Sequence, residues 1–338
     1  MTVRIGVLGC GRIGAMHAEL IARRVPGASL AAVFDVVPAA AQRVAGDLGC
    51  RAAVDPAGIF DADDVDAVAI CTSTDTHVGL LVAGAAAGKP IFCEKPVSLD
   101  LAETDRALGA VADAGVPVFL GFNRRFDPSH RSVAERVRSG ELGEVHLTRI
   151  TSRDPAPPPI SYIAVSGGIF CDMTVHDFDM ARFVTGSEIV EVYAIGAVRV
   201  DPAIGEAGDL DTVAITVTHA NGAITTIDNS RQAVYGYDQR VEAFGSQGLA
   251  VSDNPYVTTA LTRTAEGTRH STIPYFFLDR YIPSYVAEWT AFVAMVTEGS
   301  PPPVTAADGR AALVAGLAAW RSFREHRPVR IDEFPSAG

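Results

Sequence analysis

Three stretches of this chain carry residues whose types and spacing suit chemistry. Gly9-Cys10-Gly11-Arg12-Ile13-Gly14 sets three glycines at the spacing of a phosphate-cradling turn. Glycines there permit a tight bend and let a pyrophosphate approach a helix N-terminus. Asp35 stands 21 positions beyond Gly14, at the end of the next apolar run, where a carboxylate accepts hydrogen bonds from ribose hydroxyls. A carboxylate repels a 2′-phosphate, and no arginine follows in "FDVVPAA", so the pattern selects NAD over NADP. The glycines could serve a bare strand-to-helix turn. The strand before, the helix after and the acidic residue beyond argue for a nucleotide held by Gly9, Gly11, Arg12, Ile13, Gly14 and Asp35.

The second stretch, "FCEKPVS", places Glu94 and Lys95 at the C-terminal end of a predicted parallel strand. A lysine there can hydrogen-bond a reacting hydroxyl and favour its developing alkoxide. It can equally be a solvated lysine before a proline turn. The third, "GGIFCDMTVHDFDMARFVTG" (167–186), separates Asp172 and His176 by four positions. On one helix they share a face, so the carboxylate can orient an imidazole that accepts a proton near neutral pH. Two other readings stay open. Asp172, His176, Asp177 and Asp179 could be an acidic patch complementing a helix dipole, or metal ligands, though a third ligand is not evident and no metal is expected. His146 and His219 read as structural or solvated, and His17 as a packing residue of the first helix.

These residues need elements to hold them. Up to residue 123, short continuous apolar runs ("RIGVLG", "SLAAVFD", "DAVAICTS", "PIFCEKP", "VPVFLGFN") alternate with helical patterns near 12–24, 38–48, 76–88 and 101–115. That rhythm predicts a doubly wound parallel sheet, the Rossmann arrangement, over residues 1–123. From 124 to 338 the strands lengthen and alternate: 144–152, 188–200, 212–230 and 239–253, with Asn221-Gly222 marking a hairpin. The expectation is α+β, an open and mostly antiparallel sheet with helices near 128–139, 168–185, 281–298 and 306–325. The C-terminal helix near 305–325 is a candidate to pack back on the first domain. Proline-rich "PAPPPI" directly follows Asp154, where a loop would border a substrate mouth.

Bulk properties narrow the classes. The chain has 338 residues, 48% hydrophobic and 20% charged, with a formal net charge of −12. That charge argues against nucleic acid or an anionic membrane as partner. Five scattered cysteines, never spaced as CxxC, suit a reduced cytoplasmic setting better than disulfides or zinc. The run "AALVAGLAAW" is too short to span a bilayer, and the start shows no signal-peptide pattern.

"GCGRIG", "CTSTDTH", "EKP", "GFNRRFD" and "DMTVHDFDMARF", in this order along essentially the whole chain, resemble the glucose-fructose oxidoreductase/inositol dehydrogenase (Gfo/Idh/MocA) superfamily. The last of these, with "YGYDQRVEAFGSQG", is most similar to its inositol 2-dehydrogenase branch. The resemblance implies an NAD-binding Rossmann domain and a sheet domain through which a homotetramer packs. It implies hydride transfer from a small-molecule polyol, myo-inositol, with Lys95, Asp172 and His176 as catalytic residues and His176 as general base. It further implies that Thr72, Ser73, Thr74 and His77 line the cofactor groove, and that Glu94 lies near the nicotinamide ribose. Asn123, Arg124 or Arg125, Asp154, Tyr235 and Tyr281 are candidates for the polyol pocket, where buried polar groups would reject a wrong epimer. Rival expectations are scyllo-inositol, an aldose or another sugar as substrate, or a non-catalytic NAD-binding regulator.

Overall fold

Continuous β-branched and apolar runs can be buried on both faces, which only a sheet with helices on each side provides. The first unit of the computed structural model is built this way. Its elements run β1 (Val3–Leu8), α1 (Arg12–Arg23), β2 (Ala28–Phe34), α2 (Pro38–Leu48), β3 (Arg51–Ala52), α3 (Ala57–Phe60), β4 (Ala67–Ile70), α4 (Thr74–Ala86), β5 (Ile91–Glu94), α5 (Leu101–Ala114) and β6 (Val118–Gly121). The six strands are parallel in the order β3-β2-β1-β4-β5-β6. Every residue of β4 is buried. Strand order reverses between β1 and β4, the switch point whose carboxyl edge binds ligands in open α/β sheets. The structure describes residues 2–335. The first unit takes residues up to Asn123 together with Pro283–Ala311, and the second takes Arg124–Ile282 with Ala312–Pro335.

The second unit continues with α6 (Pro128–Arg138), β7 (Val145–Arg153), α7 (Ile160–Ile163), α8 (Gly168–Asp172), α9 (Val175–Thr185), β8 (Ile189–Ala197), α10 (Pro202–Glu206), β9 (Thr212–His219), β10 (Ile224–Ser230), β11 (Asp238–Gly245), β12 (Gly248–Ser252), β13 (Leu261–Thr264) and β14 (Gly267–His270). The chain ends with α11 (Phe277–Glu298), α12 (Ala306–Glu325) and β15 (Val329–Arg330). The boundaries between the units fall within α11, at Pro283, and within α12. Seven strands form one sheet, β12-β11-β7-β10-β9-β8-β15, with every pair antiparallel except β7 with β10. Asn221-Gly222 makes the β9–β10 turn: Gly222 has φ +88°, and Asn221 Oδ1 accepts from the Ala223 amide at 3.1 Å. One face of this sheet packs Ile150, Val192, Ile215, Val217, Ile227 and Val241 against Phe178, Val184, Ala315 and Ala319.

The expected single helix over 168–185 is corrected by the structure. It is two helices, α8 and α9, broken at Met173–Thr174, with Asp172 closing the first and His176 second in the next. The break has a tertiary partner. The Thr174 hydroxyl donates to Asn229 Oδ1 on β10 and lies 3.2 Å from Ile169 O, so a short β-propensity residue diverts the backbone from a continuous ladder.

Candidate active site

In the first unit the glycine turn connects β1 to α1. Gly9 has φ +98°, a conformation that favours glycine, and a Cβ on Gly14 would collide with the Gly9 carbonyl. A Cβ on Gly11 would meet nothing, so that side of the turn is open to a ligand. Gly11 caps α1 without a side chain, and no acidic residue occupies the first turn, leaving backbone N–H groups and the helix dipole to an anion. Asp35 is fixed at the end of β2: Oδ2 accepts from the Cys10 amide at 2.7 Å and Oδ1 from the Val37 amide at 2.8 Å. These residues fit a dinucleotide: the α1 N-terminus would hold its pyrophosphate and Asp35 a ribose.

Thr72, Ser73 and Thr74 lead from β4 into α4, with the Thr72 and Thr76 hydroxyls 2.6 Å apart. His77 is placed differently from a groove-lining residue. It is 1% exposed, its ring nitrogens 2.8 Å from the Pro96 carbonyl and 3.1 Å from the Thr72 carbonyl, so it ties the turns after β4 and β5 together. Glu94 ends β5. Its Oε1 lies 2.8 Å from His17 Nε2, and its Oε2 accepts from the Lys95 amide at 3.2 Å. Trp289 Nε1 donates to His17 Nδ1 at 2.8 Å. An indole N–H can only donate, so the imidazole proton sits on Nε2 and faces the carboxylate. Glu288, beside Trp289, is fully buried; burial first, then the charge of Glu94, pushes its carboxyl well above the usual range. Lys95 is half-buried, and the Asn123 side-chain Nδ2 is buried without a hydrogen-bond partner among the described residues.

In the second unit, the open reading of Asp172, His176, Asp177 and Asp179 as an acidic patch complementing a helix dipole does not hold for Asp177 and Asp179. Both are buried, Asp177 against Arg124 Nη1 at 2.7 Å and Asp179 against Arg125 Nε at 2.8 Å. Arg124 also donates to Ser152 Oγ, and Asn229 Nδ2 donates to Asp177 Oδ2, so paired charges carry their hydrogen bonds inside. Arg125, a polyol candidate, is thus engaged by Asp179. Asp172 Oδ1 accepts from Tyr162 Oη at 2.8 Å, and its Oδ2 from Arg231 Nη1 at 3.3 Å. His176 is half-buried on the first turn of α9. Asp154 lies near enough to feel Asp172. Its carboxyl is pushed up to about 6, by burial first and then by Asp172, with Arg124 and Arg231 opposing. Tyr235 is exposed, its hydroxyl donating to Asp238 Oδ2 at 2.6 Å and accepting from Arg153 Nη1 at 3.0 Å. Tyr281 is buried, edge-on to Tyr237, and burial raises its hydroxyl.

Comparison with known proteins follows this geometry. Residues 3–122 match the profile described as "Oxidoreductase family, NAD-binding Rossmann fold", and residues 130–251 match the "GFO/IDH/MocA C-terminal domain". The chain belongs to the Gfo/Idh/MocA oxidoreductase family. Among its relatives, the chain is 48% identical to the myo-inositol 2-dehydrogenase of Thermotoga maritima, over 98% of this chain and 99% of that protein. It is 46% identical to the inositol 2-dehydrogenase of Rhizobium meliloti, over 98% of this chain and 100% of that protein. The solved scyllo-inositol dehydrogenase of Lactobacillus casei, with bound NAD(H) and scyllo-inositol, superposes with a TM-score of 0.91 at 31% identity, over 98% and 100% of the two chains.

For a family member with an NAD-binding domain, the structure adds residues that sequence reading missed. His17 is three positions past Gly14 on the same helix, yet nothing local announces its bonds to Glu94 and Trp289, which lie 77 and 272 positions away. Arg231 and Asp209 carry no motif. Tyr162 sits just beyond the prolines, and only that unusual stretch could have drawn attention to it.

Proposed function

We propose that this protein oxidises a cyclic polyol, myo-inositol, at one hydroxyl-bearing carbon to give 2-keto-myo-inositol. The observation that carries this reading is the end-to-end similarity to a relative named for that reaction, at 48% identity. NAD, when bound, supplies the hydride acceptor. The chain's own residues do the rest. His176 takes the hydroxyl proton as general base, Asp172 holds the ring's orientation and offsets the imidazolium charge, and Lys95 favours the alkoxide. Asn123 and Asp154 supply polar groups for a neutral polyol, as does Tyr235. Asp177 and Asp179 are buried against Arg124 and Arg125, whereas Asp172 and His176 of the same segment are only half-buried.

The test is turnover followed by NADH absorbance. His176→Ala and Lys95→Ala are expected to bind NAD normally and lose about a hundred- to ten-thousand-fold in kcat. Wild-type turnover in both variants would overturn the residue assignment. A panel of myo-inositol, scyllo-inositol, glucose and UDP-sugars is expected to give the highest kcat/KM with myo-inositol. Preference for scyllo-inositol would retain the chemistry and change the epimer, as the Lactobacillus casei neighbour's ligand suggests. NAD binding with no polyol oxidised at all would favour a regulator.

Self-association belongs to the same reading. Ile224, Leu147, Phe244 and Leu249 are register partners across β10, β7, β11 and β12, and each is 38–54% exposed on the sheet face away from the core. A contiguous apolar row of this kind marks an interface, and a homotetramer packed through it is the assembly we infer. Five free thiols support a cytoplasmic setting.

A further inference from the structure

We propose that Tyr162 and Arg231 are positioning residues for Asp172, one on each oxygen of its carboxylate. The proposal rests on the reading of Asp172 as the carboxylate that steers His176. A carboxylate held at one oxygen can still rotate about its Cβ–Cγ bond, a broad torsion with little barrier. Held at both oxygens by groups from two different elements, its plane is set. Tyr162 Oη, from α7, donates to Oδ1 at 2.8 Å, and Arg231 Nη1, just past β10, donates to Oδ2 at 3.3 Å.

The arginine arm is itself anchored. Arg231 is 1% exposed, and its Nη2 donates to Asp209 Oδ2 at 3.0 Å. Asp209 uses its other oxygen to accept from the Ile169 amide at 2.8 Å, at the start of α8. Asp172 ends that helix, so Asp209 and Arg231 join its two ends in a closed circuit. Close packing holds the start of α8 as well. A Cβ on Gly168, where φ is +77°, would come within 2.5 Å of the Trp320 ring and 2.8 Å of Asp209 Oδ1. Trp320 Nε1 in turn donates to the Gly167 carbonyl at 3.0 Å. The tyrosine arm comes from a different element, α7, and reaches the other oxygen. α7 follows Pro155 and Pro157–Pro159, whose rings fix φ and stiffen the approach. Tyr162 is 47% exposed, so its hydroxyl contributes little to the core and its bond to Asp172 is free to serve orientation.

The experiment compares Tyr162→Phe, Arg231→Lys and Asp172→Asn in the intact enzyme with myo-inositol and NAD. For Tyr162→Phe we expect kcat to fall about tenfold, the equivalent of one net hydrogen bond, with the KM for NAD and the melting temperature unchanged. The primary isotope effect with myo-inositol deuterated at the oxidised carbon is expected to rise, because misorientation slows the chemical step itself. Arg231→Lys keeps the charge but loses the two-armed fork, and should lower kcat further while NAD affinity holds. Wild-type kcat and isotope effect in Tyr162→Phe, or lost activity with a lowered melting temperature and an unchanged isotope effect, would overturn the tyrosine's role. Wild-type kcat in Arg231→Lys would overturn the arginine's. Asp172→Asn separates the two levels: if it turns over normally, the assignment of Asp172 fails, whereas its inactivity beside a fully active Tyr162→Phe rejects this inference alone.

Discussion

Replacing Asp154 with asparagine should make the protein progressively more stable, relative to wild type, as the pH rises through the mildly acidic range. Asp154 is pushed up to about 6 against an ordinary 3.8, by burial first and then by the charge of Asp172. A folded-state value above the unfolded one means that the group's stabilising contribution is complete below about 3.8 and is lost as pH rises through about 6. A difference of about two units corresponds to about 3 kcal/mol, and the solvent that reaches this half-buried side chain trims it to about 2 kcal/mol. Asparagine keeps the shape and cannot ionise, so the variant avoids that loss. For a unit of this size, about 2 kcal/mol moves a melting temperature by about 4–8 °C. The assay is the melting temperature of both proteins, without substrate, at intervals from about pH 4 to pH 8. The variant's advantage should grow across that window and level off above about pH 7. An advantage that stays constant throughout would refute the reasoning, because it would place the titration of Asp154 at its ordinary value in the folded protein.

Two further outcomes follow from the geometry. Gly14→Ala sets a methyl against the Gly9 carbonyl and should weaken NADH binding, measured by fluorescence titration, by at least about a hundredfold, since backbone cannot give way as a flexible side chain can; wild-type affinity would contradict the turn's role. Phe244→Glu puts a charge in the middle of the Ile224–Leu147–Phe244–Leu249 row and should shift the sedimentation of the protein toward smaller species; an unchanged assembly would remove that face from the interface.

Much of the fold was legible because it depends on local pattern. Continuous apolar runs between helical periods announced the parallel sheet, and Asn221-Gly222 announced the β9–β10 hairpin. The glycine turn and Asp35 were legible for the same reason: a tight bend, a helix start and a carboxylate at the next strand end are all short-range requirements. The 168–185 segment was misread as one helix because periodicity there continues across Met173–Thr174. The diversion depends on Asn229, which is 55 positions away. Asp177 and Asp179 stayed open to a dipole-complementing patch because a sequence does not show that Arg124 and Arg125, more than 50 positions earlier, would be buried with them.

By itself, then, the amino-acid sequence determined the two kinds of sheet, the tight glycine turn with a carboxylate at the next strand end, and the residue types available for proton and hydride chemistry, since each follows from backbone preference or side-chain chemistry within a short window. Only tertiary structure decided which of the many carboxylates are neutralised in the interior, that His17 presents its proton to Glu94, and that Tyr162 and Arg231 grip Asp172 from two sides. Those are outcomes of desolvation and partner choice, and a buried charge takes its character from whichever group the folded chain sets against it.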